Sequence, residues 1–167
     1  MKEKIERYYL EILSKNNLKE KFKPSEDYKI ELISSSKFEL NKFFYKQIGK
    51  KHQWIDRLIW KNNDWIKYVS NKNLKTYILK KGDDLVGFFE LIFNQELRES
   101  EIAYLGILEE YFKNGCGGYL LTEAIKKSFE AGAKRVWVHT CSLDHKNALG
   151  NYLARGMTIF KKEVIFI

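Results

Sequence analysis

The sequence predicts an α+β fold: one mixed, mostly antiparallel twisted sheet flanked by helices, with a single splayed pair of parallel strands. Three observations predict it. Residues 75–80 and 85–93 read as two strands joined by Lys81-Gly82-Asp83-Asp84, a hairpin turn. Residues 101–108 follow through a second turn at 94–100 and extend this antiparallel meander. A glycine-rich loop and a helix then separate 101–108 from another strand at 134–141, and a strand–helix–strand connection makes that pairing parallel.

The elements follow in chain order. Residues 3–15 place Ile5, Tyr8, Tyr9, Ile12 and Leu13 at helical spacing and predict an amphipathic helix, with 15–25 as its connector. Residues 1–24 thus form an N-terminal helix and connector within a single domain spanning 1–167. Residues 28–33 alternate apolar and polar and read as a strand. Ser34–Ser36 offer N-caps for a helix marked by Phe38, Leu40, Phe43, Phe44 and Ile48. Between 49 and 70 the chain is aromatic-rich, with Asn63 or Asp64 capping a helix that runs to Val69. Trp54, Trp60 and Trp65 in this segment either wall a substrate pocket or serve as core and rim packing. Past the meander, Leu120, Leu121, Ala124, Ile125 and Phe129 share one helix face, and Gly132 ends that helix. Residues 144–155 form the last helix, stopped by Gly156, and 157–167 a strand or bent strand pair.

The composition narrows the partners. With 44% hydrophobic and 31% charged residues the chain is that of a soluble globular protein. No apolar run reaches the roughly 20 residues that cross a bilayer, and the first residues lack a secretory signal pattern. Two cysteines, Cys116 and Cys141, without CxxC or metal-like His/Cys spacing, indicate a reducing cytoplasm and no metal. The net charge of +8 favours anionic partners such as a phosphorylated cofactor. The lysines are spread among glutamates rather than clustered, so nucleic acid and membrane are not expected partners.

The stretch EIAYLGILEEYFKNGCGGYLL, beginning at Glu101, organises the chain. Gly115, Gly117 and Gly118 sit between a strand and a helix start. There they either let main-chain N–H groups cradle a phosphate or simply make a tight turn. His139 and Cys141, two apart on a strand, share a face and mimic a thiol–base pair, but no third group orients them.

This order of elements, with two motifs, resembles the GCN5-related N-acetyltransferase (GNAT) superfamily over roughly residues 28–167. One motif, Gln/Arg-x-x-Gly-x-Gly/Ala, falls on Phe112-Lys113-Asn114-Gly115-Cys116-Gly117, with Phe112 replacing the polar residue. The other, Asn-x-x-Ala-x-x-x-Tyr-x-x-x-Gly-Phe, falls on His145, Ala148, Tyr152, Gly156 and Met157, with His145 at the Asn position. The segment HTC-LDH--AL-NYLARGM further resembles a bacterial subgroup. The resemblance implies an enzyme that binds acetyl-CoA and transfers its acetyl group to an amine of a small molecule or peptide. It implies cofactor contacts from Leu105, Gly106, Ile107 and Leu108, from the loop residues Phe112, Lys113, Asn114, Gly115, Cys116, Gly117, Gly118 and Tyr119, and from His145, Asn147 and Tyr152. Amine attack needs a base, because alkyl amines are protonated at neutral pH. Glu101 fills that role by resemblance, with Glu90 in reserve; Tyr152 matches the acid that protonates the leaving thiolate. Family members often form homodimers. The alternative is a catalytically weak acyl-CoA-binding sensor, suggested by Phe112.

Overall fold

The first element is a strand, β1 (Lys4–Ile12), and not the helix expected of residues 3–15. In this computed structural model, which describes residues 1–167, β1 pairs antiparallel with two strands from the far end of the chain, β6 (Arg135–Cys141) and β7 (Thr158–Phe166). Local spacing in KIERYYLEI suits a helix, yet its Ile and Tyr residues suit a strand equally. The vacant edges of β6 and β7 decide between them, so tertiary pairing overrides the local pattern.

The remaining strands are β2 (Tyr28–Leu32), β3 (Leu74–Lys81), β4 (Asp84–Asn94) and β5 (Glu99–Ile107). All seven form one sheet in the order β2-β3-β4-β5-β6-β1-β7. Every pairing is antiparallel except β5 with β6. The expected mixed sheet with one parallel pair is therefore present, and residues 157–167 supply a single strand rather than a bent pair.

Four helices flank the sheet. α1 (Phe38–Gly49) follows a short 3-10 turn in which the Ser34 hydroxyl accepts from the Ser36 N–H at 3.3 Å. α2 (Asn62–Val69) starts where the Asp64 carboxylate accepts from the Lys61 N–H at 2.8 Å. α3 (Cys116–Glu130) lays Leu120, Leu121, Ala124 and Ile125 on the sheet, all fully buried in the larger core cluster. α4 (Ala148–Ala154) is shorter than the expected 144–155 because residues 142–147 form turns. A smaller cluster of Phe44, Ile48, Ile78, Phe88 and Leu108 fills the opposite face under α1. No helix is long and apolar enough to cross a membrane.

Two irregularities shape the functional region. The β5–β6 ladder covers only Glu99↔Arg135, Ser100↔Val136 and Glu101↔Trp137, after which the strands part. The β4–β5 register jumps from Glu90↔Tyr104 to Leu91↔Ile102, leaving Ala103 as an extra residue in β5. Such a bulge re-aims the side chains around it. Ile102 turns into the core under α3, while Tyr104 packs against the cluster on the α1 side.

Candidate active site

The fork between β5 and β6 opens into a cavity of about 1150 Å3. β5 bonds outward to β4, and β6 bonds outward to β1. Their inner edges therefore carry main-chain N–H and C=O groups with no strand partner. Leu105, Gly106 and Ile107 line the cavity along the β5 edge, whereas Leu108 is buried and its N–H is donated to the Val86 carbonyl at 2.8 Å.

At the mouth of the fork, the glycine loop turns into α3. Lys113 and Gly115 take positive φ, 69° and 78°, which bends the chain sharply into the helix. Gly115 is the N-cap and has no side chain to cap the first turn, so the N–H groups of Cys116, Gly117 and Gly118 remain available to a ligand. A Cβ on Gly117 would meet only the Asn151 Nδ2 at 3.7 Å, so the space above it is open. The same Asn151 amide donates to the Gly117 carbonyl at 3.0 Å and fixes α4 against the loop. Phe112, Lys113, Gly115, Cys116, Gly117 and Gly118 all line the cavity; Asn114 and Tyr119 do not. The first turn of a helix with open N–H groups, a glycine cradle and a nearby lysine fits a phosphate group.

Phe112 faces His145 across the mouth, their rings edge-on with centroids 4.9 Å apart, and His145 meets His52 at 6.1 Å. Three loops thus meet over the glycine-loop side of the cavity. Burial, with His52 and Lys146 nearby, holds the His145 imidazole below its usual pKa.

On the other side of the fork, Glu101 and Tyr104 line the cavity together with Trp54, Asp56 and Arg57. Burial pushes the Glu101 carboxyl above the usual range, and the Arg57 guanidinium pulls it part of the way back. Tyr152 lines the cavity from α4 with its side chain otherwise buried, and its hydroxyl has no hydrogen-bond partner in the protein. Burial raises its pKa, so it stays protonated at neutral pH. Burial likewise pushes the Cys141 thiol up and the His139 imidazole down, which keeps both neutral.

Besides Leu108, Asn114 and Tyr119, three further expected site residues lie outside the cavity. Glu90 is fully buried and receives the Asn41 amide at 2.8 Å, the Tyr68 hydroxyl at 2.6 Å and Arg57 Nη1 at 3.2 Å. A carboxylate with three donors and no solvent is a structural hub and is not placed to take a substrate proton. Trp60 and Trp65 pack on the Arg57 guanidinium, 4.8 and 5.7 Å from their ring centres, and do not line the cavity. Of the three tryptophans only Trp54 does. Sequence reasoning missed Asp56, Arg57, Tyr104, Asn151 and Arg7. A lone arginine inside WIDRLIW was the one available signal, because guanidinium groups stack on aromatic rings.

The Acetyltransferase (GNAT) family model matches residues 37–157. The chain belongs to this family. No curated protein sequence matches it. Among solved structures, an aminoglycoside acetyltransferase from an uncultured soil metagenomic sample superposes with a TM-score of 0.68 at 16% identity, covering 80% of this chain and 90% of that one. A GCN5-related N-acetyltransferase from Sphaerobacter thermophilus gives 0.74 at 14% identity over 97% of this chain and 50% of that chain. One from Kribbella flavida gives 0.67 at 14% over 96% and 56%. The GNAT chain thus spans about half the length of the latter two relatives, and the likeness is one of fold.

Proposed function

We propose that this GNAT protein transfers the acetyl group of acetyl-CoA to an amine of a small molecule or peptide. The observation that carries the reading is the fork: one cavity joins an uncapped helix start, two unpaired strand edges, Glu101 and the unbonded Tyr152 hydroxyl. The acetyltransferase relatives of the same fold support the class of reaction.

In this reading the loop N–H groups from Cys116 to Gly118 bind the CoA pyrophosphate, with Lys113 adding charge. The inner edge of β5 at Leu105 to Ile107 orients the thioester and donates to its oxygen as negative charge develops there. Glu101, directly or through a water, accepts the proton lost by the attacking amine; its raised pKa suits a base working near neutrality. Tyr152 donates its proton to the sulfur as the carbon–sulfur bond breaks, and solvent reprotonates the tyrosinate. The new carbon–nitrogen bond forms by direct attack of the amine and the carbon–sulfur bond then breaks, with no acyl-enzyme, because the protonated Cys141 thiol is a poor nucleophile.

Calorimetry with acetyl-CoA on the wild type and on Gly117→Trp tests the reading. A Cβ at Gly117 enters open space, so the Trp ring built on it occupies the cradle. Micromolar binding lost in the variant is expected; equal binding by both proteins rejects the phosphate site. Thiol release with a panel of amines then tests the transfer itself.

A further inference from the structure

The cavity extends past the fork onto the face of the sheet formed by β6, β1 and β7, where Arg7, His139, Cys141, Ile165 and Ile167 line it. Arg7 stands out there. It makes no ion pair and no side-chain hydrogen bond, and its Nε is buried without a partner. The residue is half-buried, with the terminal nitrogens still open to the cavity and the inner Nε shut off from water without an acceptor, and an unmet buried donor is costly. The nearby acids bond other groups, and Glu163 feels the Arg7 charge without closing an ion pair with it. Glu163, its register partner on β7, is bridged to Lys161 at 3.4 Å. Asp144 accepts from the Thr140 hydroxyl and from the Cys141 N–H at 3.1 Å. Arg57, the other arginine lining the cavity, is in contrast neutralised by Glu90 at 3.2 Å.

The backbone of Arg7 is fixed on both sides, paired with Cys141 on β6 and Glu163 on β7. Its side chain therefore projects from a strand held on both edges, one in from the sheet's outer strand β7. Leu10 and Ile12 face the core under α3, while Arg7 shares the opposite face with His139 and Cys141, on the same side as Trp137 beside Glu101. The apolar neighbours Ile5, Ile165 and Ile167 strengthen any charge pairing made there.

We propose that Arg7 is the anchor for an anionic group on the acceptor, so that the substrate is an amine bearing a carboxylate, as in an amino acid or a peptide with a free C-terminus. The inference rests on the reading of this cavity as an acetyl-transfer site. It adds that the amine is delivered to Glu101 while the carboxylate is held on β1, a strand outside the segment that matches the family model.

The test uses matched probes: phenylalanine against phenethylamine, 4-aminobutyrate against butylamine, and one tripeptide with free and with amidated C-terminus. Binding is read by ligand-detected NMR and transfer by thiol release, on the wild type, Arg7→Lys and Arg7→Gln. The carboxylate member of each pair is expected to bind wild type roughly ten- to a hundredfold more tightly, as a charge-assisted hydrogen bond predicts. Arg7→Gln abolishes that preference, Arg7→Lys keeps part of it, and acetyl-CoA affinity stays unchanged in both. Equal binding within the pairs, or no binding of any carboxylate to wild type, overturns the inference without relying on a variant. Transfer to uncharged amines alone also overturns it, while leaving acetyl transfer standing; loss of acetyl-CoA binding by wild type overturns the transfer reading instead.

Discussion

Gly156 and Gly132 share nearly the same backbone conformation, φ +101° and +100°, and differ in what surrounds them. A Cβ on Gly132 would meet nothing within 4 Å, whereas one on Gly156 would lie 2.1 Å from the Asn17 carbonyl oxygen. Alanine at either position incurs backbone strain of about 1–3 kcal/mol. At Gly156 the connector must also withdraw by about 1.3 Å or more, from 2.1 Å to at least 3.4 Å, to restore ordinary van der Waals contact. That withdrawal breaks the Lys19 N–H bond to the Arg155 carbonyl, 2.9 Å long, adding about 1 kcal/mol or somewhat more. Gly156→Ala should therefore lie about 1–2 kcal/mol below Gly132→Ala. For a domain of this size that is a further fall in Tm of roughly 2–8 °C. Thermal unfolding of the two variants side by side measures it. Equal Tm values would mean that the connector does not press on the end of α4, and the account of Gly156 would be wrong.

Tyr152→Phe should lower kcat well over tenfold with acetyl-CoA Kd unchanged, by steady-state kinetics and calorimetry; unchanged turnover assigns the proton to water. Glu101 must be ionised to act, so kcat/KM should fall as the pH drops through its raised pKa, with the acid limb above the usual carboxylate range. Glu101→Gln should remove that limb along with most activity, and an unaltered profile excludes Glu101 as the base. Glu90→Ala leaves the Arg57 charge, the Asn41 amide and the Tyr68 hydroxyl without their acceptor, so a loss of about 3–5 kcal/mol is expected in denaturant unfolding. A loss under about 1 kcal/mol would show that water replaces the carboxylate easily.

Elements whose partners are close in the chain were legible in the sequence. The hairpin at Gly82, the glycine loop and the apolar face of α3 are local patterns, and the structure has them where the pattern puts them. β1 was illegible because its partners, β6 and β7, lie more than 100 residues away and only their free edges make it a strand. Glu101, opening its strand, and Glu90, set between Phe89 and Leu91, were read as first and reserve candidates for the base. The bulge at Ala103 brings Glu101 onto the same sheet face as Glu90. They differ because Asn41, Tyr68 and Arg57 close over Glu90 while Glu101 lines the cavity, a difference in packing that leaves no mark in the local residue types. Trp60 and Trp65 were open to two readings, pocket walls or core and rim packing, because aromatic clustering does not say which side of a ring faces water. Arg57, which draws both rings inward, answers that only once the chain is folded.

The fork itself explains why a strand outside the family-matched segment belongs to the site. β5 is held by eight register pairs to β4, while β6 shares three pairs with β5 and six with β1. Each prong is thus anchored on its outer edge, and the inner edges are left free to serve a ligand. Without β1, β6 would keep only its three-pair hold on β5, too short a ladder to fix the direction of the prong beyond Trp137. The groups that line that prong, from Val138 to Asp144, would then have no defined distance from Glu101. β1 therefore sets the width of the gap as well as carrying Arg7, and substrate recognition and site geometry depend on the same nine residues.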